Sequence, residues 1–218
     1  MLQNLKQSFY TPLCLNCGSF FVCDHLLCET CFLAFFKNLS LTDNRHAEFK
    51  HFFLIDWTPG ESDLISEMVY RLKSDRSVKA WRYYAEVVAH SLADQEDLEV
   101  FDAIVSLPGS RADSVHAWLF AKNLSKALGL PVLNILTKSA LDRAQKSKSA
   151  AERKSASLEN TIQVDEQFTR AELSNLKLIY VDDIMTTGET FKRCQQALGA
   201  VEKSILITMF YRPRARQT

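Results

Sequence analysis

Leu178-Ile179-Tyr180-Val181-Asp182-Asp183-Ile184-Met185-Thr186-Thr187-Gly188-Glu189-Thr190 is the stretch on which the fold turns. It opens as an apolar, β-branched strand, sets two carboxylates where that strand should end, and turns through Thr, Thr and Gly. A helix follows, with Phe191, Cys194 and Leu198 spaced i, i+3 and i+7 on its apolar face. The first turn of a helix offers unpaired backbone N–H groups backed by the positive end of the macrodipole, so a phosphate sits there naturally. Thr186, Thr187 and Thr190 add hydroxyl donors, and Gly188 lets the backbone approach without a Cβ. The loop holds no Lys, which separates it from a P-loop. Carboxylates accept hydrogen bonds from vicinal hydroxyls, so one phosphate beside a diol fits both halves of the stretch. That ligand is a ribose 5-phosphate.

These residues resemble the 5-phosphoribosyl-1-pyrophosphate (PRPP) loop of the type I phosphoribosyltransferases: two hydrophobics, Asp-Asp, then Thr-Thr-Gly-x-Thr. In that family the carboxylates hold the ribose hydroxyls and the turn holds the 5-phosphate. The resemblance thus implies a PRPP site at Asp182, Asp183, Met185, Thr186, Thr187, Gly188, Glu189 and Thr190. A helix-capping turn explains one Asp and one Thr, but not two acids and three threonines around a glycine.

A chain of 218 residues, 47% of them hydrophobic, can bury one sizeable α/β core and carry a small appendage. Formal net charge is zero, so nucleic-acid or membrane binding would have to come from a local patch. No run approaches the roughly 20 apolar residues of a membrane span, and Met1–Lys6 does not read as a signal peptide. The expected location is cytoplasmic.

Five of the six cysteines fall early: Cys14, Cys17, Cys23, Cys28 and Cys31. In a reducing compartment clustered thiols read as metal ligands rather than disulfides. Two Cys-x-x-Cys pairs, Cys14/Cys17 and Cys28/Cys31, predict one closed, structural, tetrahedral zinc site, with Gly18 shaping the first knuckle. Cys23 and His25 lie between the pairs and offer substitute ligands, though the paired spacing favours leaving them out. The expected organisation is a zinc-ribbon-like module over 1–45 and an α/β domain over 46–218.

Beyond the module, Phe49–Trp57 reads as a strand ending at Pro59-Gly60. Two amphipathic helices follow, one marked by Leu64, Ile65, Met68, Val69 and Leu72, the other by Trp81, Tyr84, Ala85, Val88 and Leu92. Asp102–Leu107 is a buried strand leading to Pro108. The next helix is capped by Asp113 or Ser114 and stops at Gly129, and a strand runs from Val132 to Leu136. With a last strand at Ser204–Phe210, the order predicts a doubly wound, mostly parallel sheet of type I phosphoribosyltransferase type, with its ligand at the carboxyl ends of the strands.

Lys138–Lys154 carries six basic residues against two acidic ones and little apolar content, and Arg212, Arg214 and Arg216 repeat the sign near the tail. Such a run is either solvated surface or a basic loop that closes over a pyrophosphate.

The whole order of parts is similar to the competence protein F (ComF) family, also called GntX-like. The pieces that carry the likeness are the four-cysteine module, Tyr70-Arg71-Leu72-Lys73, Ile104-Val105-Ser106-Leu107-Pro108, the basic loop with Gln145 and Arg153, and the PRPP loop. The resemblance implies that Lys73, Arg111, Gln145 and Arg153 serve PRPP, with Mg2+ on the diphosphate, and that the protein takes part in natural transformation. The chain departs from the family after Arg111 and at Ala156, where an Asn is usual.

Two functions follow from this sequence. One is phosphoribosyl transfer to an unidentified acceptor, with either Asp182 or Asp183 as base. The other is a non-catalytic adaptor for single-stranded DNA or a DNA-processing partner, using aromatic and basic residues such as Trp81, Arg82, Tyr83 and Tyr84.

Overall fold

Two strands with apolar runs along much of their length organise the molecule: Lys177–Met185 and Lys203–Tyr211, which lie side by side and parallel. Continuous apolar runs of this kind suit strands covered on both faces. The computed structural model describes residues 13–45, 47–60, 63–74, 78–109, 114–138 and 162–213.

In chain order the described elements are α1 (Glu29–Phe36), β1 (Thr42–Asp43), β2 (His51–Asp56), α2 (Asp63–Ser74), α3 (Val78–Ala93), a 3-10 turn (Leu98–Val100), β3 (Ala103–Ser106) and α4 (His116–Leu128). There follow β4 (Leu136–Lys138), β5 (Ile162–Val164), α5 (Arg170–Ser174), β6 (Lys177–Met185), α6 (Glu189–Leu198) and β7 (Lys203–Tyr211). The main sheet runs β1-β2-β7-β6-β3, parallel except for the antiparallel edge strand β1. Thus the fold is α/β with a mostly parallel sheet.

Alternation along the central strands divides the core between two faces. Ile104, Ile179, Val181, Ile205, Ile207 and Met209 point to one, where Met68, Trp81, Tyr84, Val88, Phe120 and Leu124 from α2, α3 and α4 cover them. Ala103, Val105, Leu178, Tyr180 and Leu206 point to the other, under Phe191, Cys194 and Leu198 of α6 and Leu173 of α5. The sheet is therefore wound on both sides, as its alternating strands and helices predict. Gly129 ends α4 in the left-handed conformation (φ 73°), and α5 begins with a capping box between Thr169 and Glu172.

The cysteine module packs on α3. Cys14, Leu27, Cys28, Cys31, Phe36 and Leu41 belong to the same apolar cluster as the helical face of the sheet. Tyr84 Oη donates to the His25 carbonyl at 3.0 Å, and Leu41 N donates to Ser91 Oγ at 2.7 Å.

Three details depart from the sequence reading. The stretch Val132–Leu136 is not one strand: Val132 bridges Ile104 in parallel, then the chain leaves the sheet edge and Leu136 begins β4, which pairs antiparallel with β5. Exposed Asn134 interrupts the apolar run at the crossing. Ser114 does not cap α4, whose first residue is His116 after Val115; Asp113 lies outside the described residues. Finally, β6 does not stop at its carboxylates but continues to Met185, opposite Tyr211.

Candidate functional site

The end of β6 and the start of α6 form the expected strand, turn and helix. The ladder carries Asp182 beside Thr208 and Met185 beside Tyr211, so the acidic pair is held inside the strand rather than at a frayed end. Thr186–Gly188 makes the turn, Glu189 opens α6, and Thr187 Oγ1 accepts from Glu189 N at 3.4 Å. Gly188 has φ 72°, a conformation in which side chains are disfavoured. A Cβ there would lie 2.9 Å from Phe49 Cε1 and closer still to Cζ. The glycine is therefore required by the aromatic ring behind the turn, independently of any ligand. Phe49 also packs on Phe191 with ring centroids 4.5 Å apart, fixing the first turn of α6.

Asp182, Met185, Thr186, Thr187, Gly188, Glu189 and Thr190 line one cavity of about 40 Å³, together with Leu107 from the end of β3. At roughly 10–15 Å³ per water, that space holds about three waters, the size of a phosphate's terminal oxygens. Burial raises the Asp182 carboxyl well above the usual carboxylate range, and the Asp183 charge and a hydrogen bond between the two carboxyl groups add to this. Asp182 Oδ1 also accepts from Asp183 N at 2.8 Å. Asp183 faces a cation: Lys73 Nζ, at the end of α2, stands 3.0 Å from its Oδ2. The pair thus holds one carboxyl biased toward its neutral form and one kept beside an ammonium group.

Lys73 and Leu107 are accordingly brought to the acidic pair from α2 and β3. Arg111, Gln145 and Arg153 lie outside the described residues, as does the basic run after Lys138, which ends β4. So do Arg214 and Arg216, whereas Arg212 sits over the Trp57 ring at 5.2 Å and its backbone N donates to Met185 O. The aromatic run on α3 forms no exposed stacking platform: Trp81 and Tyr84 are fully buried, and Arg82 pairs with Asp24 at 3.2 Å. Cys194 is buried under the sheet, as its helical spacing predicts.

One polar chain behind the turn has no local signature in the sequence. His51 at the start of β2 is fully buried, with Asn44 Nδ2 3.0 Å from Nδ1 and Thr208 Oγ1 2.8 Å from Nε2. Burial pulls this imidazole down to about 4. It links the edge strand to the position next to Asp182 across residues far apart in the chain, and only the assembled sheet reveals it.

The four cysteines Cys14, Cys17, Cys28 and Cys31 converge, with ligand atoms within 4.8 Å of one another, so the cluster can hold a metal ion. Cys17 Sγ and Cys28 Sγ are 3.7 Å apart. A tetrahedral zinc thiolate with bonds of about 2.3 Å has sulfur–sulfur edges of roughly 3.8 Å, so the donor set fits zinc. Burial opposes ionisation of Cys14, but backbone hydrogen bonds from Cys17, Cys28 and Asn16 outweigh it and bring that thiol to about 6. The Asn16 amide donates to Cys31 Sγ at 3.2 Å, orienting it from outside the cluster.

No family model matches the chain, and no curated protein matches it. Among solved structures the chain is similar to glutamine PRPP amidotransferase from B. subtilis, complexed with ADP and GMP. That match has 19% identity and a TM-score of 0.38, and covers 60% of this chain and 26% of the other. It is similar also to a hypoxanthine phosphoribosyltransferase from Staphylococcus aureus (11% identity, TM-score 0.36, 65% and 70% covered). A third is an adenine phosphoribosyltransferase (15% identity, TM-score 0.37, 80% and 85% covered). The chain spans about a quarter of the length of the first of these. Among the described residues no helix is long and apolar enough to cross a membrane.

Proposed function

We propose that the chain binds PRPP, or another ribose 5-phosphate, at the end of β6 and transfers the phosphoribosyl group to an acceptor. The observation that carries this reading is that a single cavity of phosphate size is walled by both the Thr186–Thr190 turn and Asp182. The turn supplies backbone and hydroxyl donors for a 5-phosphate, and the carboxylates stand one strand-end away to receive the ribose diol. In the reaction a nucleophile bonds to the anomeric carbon while the carbon–oxygen bond to pyrophosphate breaks, and positive charge must meet the departing oxygens. Lys73 is the described cation nearest the acids; the resemblance to the ComF family adds Arg111, Gln145 and Arg153. Asp182, held toward its neutral form, passes a proton more readily near neutral pH than an ordinary carboxylate does.

Asp182 and Asp183 are the residues that would hold Mg2+: among the described residues Asp183 Oδ2 is buried with no hydrogen-bond donor besides the Lys73 ammonium. Bound with PRPP, the ion would neutralise leaving-group charge. A place in natural competence and DNA uptake rests on the ComF resemblance alone. For the adaptor reading Trp81 and Tyr84 are core residues, so base stacking would fall to exposed aromatics such as Phe20, Phe21 and Trp118.

The test is calorimetry of the purified chain with PRPP and Mg2+, repeated with each nucleobase present and with pyrophosphate release followed in parallel. Saturable binding of PRPP is expected, and an acceptor is identified by release that depends on it. Absence of any PRPP heat would remove the reading.

A further inference from the structure

Next to the four-cysteine cluster lies a second group of metal-ligating side chains that the first cluster does not use. The turn Cys23–Leu27 folds back on itself, with Cys23 N donating to Leu27 O at 2.8 Å and Leu26 N to Cys23 O at 3.0 Å. This turn carries Cys23 and His25 over the N-terminal end of α1, where Glu29 is the first residue. The Cys23 thiol, a His25 ring nitrogen and a Glu29 carboxylate oxygen all lie within 4.8 Å of one another.

His25 supplies the independent sign that something belongs there. Its ring is 3% exposed, pinned between Phe32 and Tyr83 with centroids 4.0 and 5.0 Å away. Yet its Nδ1 is buried without any hydrogen-bond partner among the described residues. A buried imidazole nitrogen left unpaired is costly, and a cation ligated through Nδ1 would remove that cost. Cys23 and Glu29 are exposed, so both can turn onto an ion without disturbing the core. Around a tetrahedral ion with bonds of about 2.0–2.3 Å, donors sit roughly 3.5 Å apart, so small side-chain rotations close the site.

We propose that Cys23, His25 and Glu29 bind a second zinc ion, with water as the fourth ligand. Mixed sulfur, imidazole and carboxylate donors match zinc rather than magnesium or calcium, and three protein ligands leave one position open. The site lies where the module meets α3, beside the Tyr84–His25 hydrogen bond and the Asp24 ion pairs with Lys79 and Arg82. Its ion would hold the turn against that helix while presenting an exchangeable position to solvent.

The test is titration of the full metal-free chain with Co(II), alone and as Cys23→Ser and Glu29→Gln, with zinc content of the chelator-free protein measured beside it. Two equivalents are expected in the wild type. One set of ligand-field bands should be typical of four thiolates; a second, at shorter wavelength, should be typical of a single thiolate with nitrogen and oxygen. Each variant should lose the second set and bind one equivalent. Saturation at one equivalent in the wild type overturns the proposal. So does a second equivalent that survives both substitutions, which would place that ion elsewhere. Because both substituted residues are exposed, the four-thiolate bands of each variant report that the module still folds.

Discussion

Asp182 and Asp183 differ in what surrounds them, and the difference sets opposite demands on stability and binding. Burial and its acidic neighbour raise Asp182. A carboxyl raised on folding costs nothing while protonated in both states; above the unfolded value near 3.8 the unfolded chain ionises more easily, and stability falls as pH rises from there toward the folded value. Asp182→Asn should therefore raise the melting temperature at neutral pH and flatten its decline with pH. It should also weaken PRPP binding by up to about tenfold, the worth of one ordinary hydrogen bond of about 1–1.5 kcal/mol. Thermal melts over a pH series, set beside calorimetry, check both signs, and a variant less stable than wild type at neutral pH would show that the carboxyl is not strained. At Gly188 the cause is steric. Gly188→Ala should cost about 1–3 kcal/mol from the left-handed backbone and the ring of Phe49. Pairing it with Phe49→Ala should recover the steric part, measurable as a non-additive double-mutant cycle in denaturant unfolding.

At the scale of elements, the sheet owes its register near the site to a buried polar chain as well as to apolar packing. His51 joins β2 to Thr208 on β7, one strand from Asp182. Its imidazole, lowered to about 4, stays neutral when folded but protonates in the unfolded chain below about 6.5. The stability it permits is complete above the unfolded value and is lost as pH falls through that window. A full shift of this size corresponds to about 3 kcal/mol. His51→Gln should remove that acid limb from a plot of unfolding free energy against pH; an unchanged limb would assign it to other groups. This network was not legible in the sequence because its members come from separate strands. The strand, turn and helix around Thr186–Gly188 and the convergence of the cysteine pairs were legible because they are local, written in consecutive spacing. Lys73 came only from the family resemblance, since helical spacing cannot say which strand end a helix terminus approaches. Val132–Leu136 misled because its apolar run is divided between the sheet edge and β4, a division made by tertiary pairing.

Over the whole molecule, the cysteine module and the α/β sheet share one apolar cluster. Loss of a metal held by the four cysteines should therefore reach beyond the module, because Leu27, Phe36 and Leu41 contribute to the cover of α3. Chelation, or Cys14→Ser with Cys28→Ser, should lower the melting temperature of the entire chain and expose Tyr83 and Tyr84 to solvent, visible in the near-ultraviolet circular dichroism. A module that melts separately, leaving the main transition in place, would mean that the shared cluster adds little stability. The central claim is that the carboxylates receive a diol while the adjoining turn receives a phosphate. It is tested most directly by titrating ribose 5-phosphate and 2-deoxyribose 5-phosphate into the wild type and into Asp182→Asn with Asp183→Asn. The wild type should prefer the ribose form by about tenfold, the value of one such hydrogen bond, and the double variant should bind both sugars alike. Equal affinity of the wild type for the two sugars would refute the claim.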